Sequence, residues 1–162
     1  MFSQLLPARI GNSYRGHKLA LWLFAAVVAV RITQSLAVMF GGASILESAD
    51  GIPLETFNTS GAKTVVAVWT LLALSRLFLL LLCVLTVLRY RSAIAFMFVL
   101  LLLNYLADQL SLQLVPLVRT GTPPGPVVNM ILAGLMIVGL ALSLRTRGGG
   151  SAENSLGRSH DT

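Results

Sequence analysis

Charge is scarce in this sequence: of 162 residues, 11% are Asp, Glu, Lys or Arg while 56% are hydrophobic. A soluble domain carries roughly 25% charged residues. At this length there is room for one domain of ordinary size and not for two, and one small core cannot hide so large an apolar surplus. Water is therefore not the chain's main solvent. Cysteine is nearly absent, and the single Cys83 lies inside an apolar run. An internal disulfide is excluded, and with it the thiol–disulfide membrane chemistries that need cysteine pairs. Histidine is limited to His17 and His160, both outside the apolar runs, and no His, Cys and carboxylate set has metal-ligand spacing. Phosphate-loop, dinucleotide and serine-elbow patterns are missing too. The glycine run that begins at Gly148 follows an apolar run rather than opening a helix, so it is no phosphate cradle. No cofactor and no metal are expected. Without an acid–base pair, a nucleophile pair or a metal set, the chain does not read as an enzyme.

The net charge is +6, but the basic residues form no stripe interleaved with aromatics, so nucleic acid is not an expected partner. They cluster at the ends of the apolar runs, where anionic lipid headgroups meet them. A bilayer core of ~30 Å takes about 20 apolar helical residues to cross. Four segments meet or approach that length: 18–40, closing on Gly41-Gly42; 64–88, containing LFLLLLCVL; 92–115, stopped by Pro116; and 126–144, with Arg145 at its end. Pro126 suits a first-turn position, where its missing N–H is not needed.

Direction follows from counting Lys and Arg in the connections. Arg9, Arg15, Lys18, Arg89, Arg91, Arg145, Arg147 and Arg158 make eight on one side; Lys63 and Arg119 make two on the other, beside Glu47, Asp50 and Glu55. Both termini and the Arg89–Arg91 turn are thus expected in the cytoplasm. The competing reading is a cleaved signal peptide, with Ser35-Leu36-Ala37 imitating a cleavage site. Against it, the apolar stretch runs on past Arg31 to Phe40 behind a long leader.

Short connections favour antiparallel neighbours. The expected fold is all-α, an antiparallel four-helix membrane bundle, N-in and C-in, in one domain over 18–145. A cytoplasmic segment 1–17 precedes it and a flexible tail 146–162 follows. The second and third spans, joined only by Arg89-Tyr90-Arg91, are expected to form a tight hairpin. The outer segment 41–63 reads as a loop with room for a short capping element. The segment RTGTPPGPVVN reads as a stiff connector; alternatively, its Arg119, Thr120 and Thr122 rim the entrance to the polar layer. Asn58-Thr59-Ser60 matches a glycosylation acceptor, a short pattern that is common by chance. Ala133, Gly134, Gly139 and Ala141 make the fourth span slim and suited to close packing.

The spans are not uniformly apolar. Charges at membrane depth are costly and normally face a partner or a cavity, and Arg31, Arg76 and Asp108 fall within the runs. At ~1.5 Å per residue from the arginine-rich side, Arg76 and Asn104 lie at roughly 18 Å, Arg31 at roughly 20 Å, and Gln34, Asp108 and Asn129 near roughly 24 Å. Arg31, Gln34 and Ser35 share one helix face, as do Asn104, Asp108 and Ser111. Lipid cannot satisfy their hydrogen bonds, so these faces turn inward.

Two readings of this cluster are open, a structural one as the main expectation and a binding or transport one as its alternative. In the first, Asp108 neutralises one arginine, the amides satisfy the rest, and the network fixes helix register. The chain is then a non-enzymatic structural or accessory membrane subunit. In the second, two arginines against one carboxylate leave a positive charge free to hold a small anionic or amphiphilic molecule, such as a lipid headgroup or a quinone-like carbonyl. The candidate binding residues are Arg31, Gln34, Arg76, Asn104, Asp108 and Asn129. A proton relay is disfavoured, because Asp108 has no second acid or histidine within the runs. Expected partners are the lipid bilayer and a partner membrane helix or second copy of the chain. Minimal loops and arginine-dominated basic residues suit a bacterial plasma membrane.

Overall fold

The computed structural model describes residues 18–144; the expected cytoplasmic segment 1–17 and the tail 146–162 lie outside the described residues. Those described are all-helical. Four helices, α1 (Lys18–Asp50), α2 (Thr59–Arg89), α3 (Ile94–Leu114) and α4 (Pro124–Leu144), are joined by short connections, two of which contain 3-10 turns. All four are long and apolar enough to cross a membrane.

The boundaries follow from local chemistry. Asn58 is the N-cap of α2, its Oδ1 accepting from the Gly61 N–H at 2.7 Å and satisfying one of the orphan donors of the first turn. This engagement accounts for an asparagine that the sequence offers as a glycosylation acceptor. α3 stops one residue short of Val115, which precedes Pro116 and so disfavours helical backbone. α4 opens at Pro124 rather than Pro126, with both prolines inside its first turn.

Gly41-Gly42 does not end α1. Gly42 takes φ 48 and ψ −125, a conformation open in practice to glycine alone, and the helix resumes over 43–50 at a new angle. The expected outer loop 41–63 is therefore mostly helical, and the connection shrinks to 51–58. At this loop end a small core of Leu46, Ile52 and Leu54 packs with Val66, Trp69 and Leu117. The 115–123 connection is tied to it: Thr120 donates from its N–H and its Oγ1 to the Gly51 carbonyl, at 2.8 and 3.2 Å.

The larger core fills the opposite end, near the 91–93 turn. Phe24 of α1 meets Phe98 of α3 edge to face, with ring centroids 4.8 Å apart, a geometry worth ~0.5–1.5 kcal/mol beyond the buried area. Gly139 lets Phe98 lie against α4, since a Cβ there would collide with the ring. Gly134, by contrast, has nothing within 4 Å, so it does not contribute to packing within the chain.

α1 packs along α2 and α4, α4 packs along α3, and α2 and α3 touch only sparsely. The α2–α3 hairpin expected from the short Arg89–Arg91 link is not tight: the two helices are bridged by the Arg76–Asp108 pair but pack sparsely. The reason is the placement of Phe98: α3 commits its bulkiest buried side chain to Phe24 and Gly139, and so to α1 and α4 rather than α2.

Candidate functional site

Between the two cores lies a cavity of about 240 Å³. The 18–41 arm of α1 lines it with Arg31, Gln34 and Ser35, on the face shared through i, i+3, i+4 spacing. α2 contributes Arg76, α3 contributes Asn104 and α4 contributes Asn129. Five of the six candidate residues read from the sequence thus meet at one cavity. The sixth, Asp108, is outside the lining and holds Arg76 from behind. Arg76 Nη2 donates to Asp108 Oδ2 at 3.0 Å, both side chains being partly exposed. Arg31 Nη1 donates to Asn129 Oδ1 at 2.9 Å.

The two arginines are thus unlike. Arg76 has a carboxylate. Arg31 has a neutral amide as its hydrogen-bond partner and, among the described residues, no carboxylate within ion-pair distance. A guanidinium carries five N–H donors in a fixed fork, and one bond to Asn129 leaves most of that capacity for the cavity. The lining around it includes the apolar side chains of Val38, Leu72, Leu79 and Leu101. Such a chamber can hold an acid or carbonyl oxygen at one wall and hydrocarbon along another.

Two further residues line the cavity that hydropathy and spacing do not single out: Asp50, which by sequence falls in the outer segment 41–63, and Trp69, whose Nε1 donates to Asp50 Oδ2 at 3.2 Å. The break at Gly42 turns Asp50 toward Trp69 of α2. Gly125 permits the close approach: a Cβ on it would lie 2.6 Å from the Ala49 carbonyl oxygen and 3.0 Å from Asp50 Oδ1. The consecutive glycines at 41–42 were the available signal, and they mark a redirection rather than a stop. Asp50 also alters the charge count. Two arginines face two carboxylates overall, but Asp50 sits at the loop end with Trp69 and forms no ion pair with either arginine.

Other expectations fall away from the site. Ser111 donates to its own helix, Oγ to the Ala107 carbonyl at 2.8 Å, and is exposed. Arg119, Thr120 and Thr122 do not rim the cavity; Thr120 is spent on the clasp to Gly51. Among the described residues no group of His, Cys, Asp and Glu could hold a metal ion. The chain matches no family model, no curated protein and no solved structure.

Proposed function

We propose that the chain is a multi-pass integral membrane protein that binds a small anionic or amphiphilic molecule in the Arg31–Arg76 cavity. Its four apolar helices cross the bilayer, with both termini and the Arg89–Arg91 turn on the cytoplasmic side, as the eight-to-two distribution of basic residues supports. The membrane is a plasma membrane, and the short connections suit that of a bacterium. The observation that carries the binding reading is Arg31: a cation at membrane depth, bordering an open chamber, with an amide where a carboxylate is expected.

The structural reading has one observation in its favour. The Arg31–Asn129 bond ties α1 to α4 and the Arg76–Asp108 pair ties α2 to α3, which is what a register-fixing network needs. The two readings part on a mild-detergent preparation analysed by mass spectrometry for lipids, small acids and proteins. Binding predicts an acidic species retained by wild type and lost with Arg31→Ala. A preparation with no such species, or with one retained equally by Arg31→Ala, returns the chain to the structural class.

A further inference from the structure

The cavity is closed at both ends. The loop end is roofed by the 43–50 arm, which lines the cavity with Ile45, Ala49 and Asp50 and buries Leu46 fully. The floor is formed by Leu80 and Leu101, which are 3% and 6% exposed. Of the lining residues only Leu72 and Arg76 are exposed; both belong to α2. Arg76 reaches across to Asp108 of α3, and this is the one polar side-chain link between α2 and α3 among the described residues. These are the neighbouring helices that pack least. The weak seam, the exposed lining and the ion pair coincide.

Volume then limits what enters. Pockets that enclose a whole drug-sized ligand run to ~300–1,000 Å³, so a chamber of about 240 Å³ takes a small anion whole, and of an amphiphile only the head end, leaving the rest outside. Outside the α2–α3 seam is the bilayer. Arg31 selects an acid as the end that enters. Asp50 at the roof repels an anion from the loop end, while the seam presents Arg76. On the strength of the binding reading above, we propose that the Arg76–Asp108 pair is a lateral gate. Through it, an acid group carried on a single acyl chain passes from the bilayer to Arg31, the chain remaining between α2 and α3. The incoming carboxylate or phosphate exchanges for Asp108 on the Arg76 fork and is then held by Arg31. Asp108 is therefore a built-in competitor of the ligand.

The test uses the full chain in nanodiscs of zwitterionic lipid, carrying Trp22→Phe. Trp69 at the cavity is then the reporter, since the chain has two tryptophans. The probes are a fatty acid brominated near its headgroup, its methyl ester and inorganic phosphate. Lateral gating predicts saturable quenching of Trp69 by the acid, with the ester about tenfold weaker and phosphate unable to displace the acid. Asp108→Asn, by removing the competitor, binds the acid about threefold tighter or better. If acid or phosphate binds and Arg31→Ala abolishes it, but Asp108→Asn binds no tighter, the gate is wrong and the binding reading stands. Absence of saturable binding of acid and phosphate alike overturns both. Should Asp108→Asn not fold, a chain-length series on the wild-type gate decides. Entry from the bilayer requires apparent affinity, referred to aqueous ligand, to rise about fourfold per methylene from about eight to about fourteen carbons. An affinity that levels off at short chains overturns lateral entry.

Discussion

Arg31 and Asp50 lie nineteen residues apart on one helix and line the same cavity. A straight α-helix would separate them by roughly 28 Å. The redirection at Gly42 shortens that separation and turns the end of α1 over the cavity. The placement of that roof depends on one backbone position, which makes Gly42 the first place to intervene.

Gly42→Ala places a side chain at φ 48, a backbone region that costs ~1–3 kcal/mol for residues other than glycine. The expected outcome is a lower unfolding temperature in detergent together with a shift of Trp69 emission, because the 43–50 arm holds Asp50 against Trp69. With Trp22→Phe as background, fluorescence reads both. A variant that loses stability without any change at Trp69 would show that the arm stays docked regardless of the break.

Arg31→Met keeps much of the length and removes the charge. A purely structural Arg31 predicts a loss of ~1–3 kcal/mol, since the Asn129 amide is left without its donor. A ligand-holding Arg31 predicts an unliganded protein of unchanged or greater stability, since sites built for ligands commonly cost stability. Thermal unfolding of delipidated wild type and variant, compared side by side, separates the two.

The two glycines of α4 make a matched pair. Gly139→Ala is expected to be clearly destabilising, because the added Cβ collides with the Phe98 ring, and Phe98→Leu should restore part of the loss. A double-mutant cycle should return a coupling of ~0.5–3 kcal/mol between these positions. Gly134→Ala meets open space and should stay within about 0.5 kcal/mol of wild type or gain from helix propensity. Equal effects at both positions would contradict the packing described.

Topology is read by cysteine labelling in a Cys83→Ser background, where Cys83 is buried within the core. Glu55→Cys and Tyr90→Cys introduce thiols at exposed positions at opposite ends of the bundle. A membrane-impermeant maleimide should modify position 55 in intact cells and position 90 only after permeabilisation. The reverse pattern would invert the proposed orientation.

Much of the candidate site was legible along the chain. Arg31, Arg76 and Asp108 are conspicuous because charge is so rare in their surroundings, and helical spacing alone puts Gln34 and Ser35 beside Arg31. An α-helix has a fixed rise, so sequence position alone puts Asn104 and Asn129 in the same layer. Ser111 shows where this fails: spacing puts it beside Asp108, but a serine hydroxyl can be satisfied by the carbonyl four residues back, and its side chain stays with its own helix.

Four apolar helices, their approximate limits and the polar layer across them were determined by the sequence itself, because hydropathy, fixed rise and helical periodicity are local properties. Which arginine keeps a carboxylate was not. Asp108 stands in the same layer as both, and only the placement of α3 assigns it to Arg76. The sparse α2–α3 contact was equally beyond local reading: a three-residue link implies adjacency, whereas the packing of Phe98 between Phe24 and Gly139 draws α3 toward the other side. So too with Gly42, where consecutive glycines announce a break and the direction of the next segment is set by Leu46 finding its core with Ile52 and Leu54. Side-chain packing between distant segments decided these points, and no local rule encodes it.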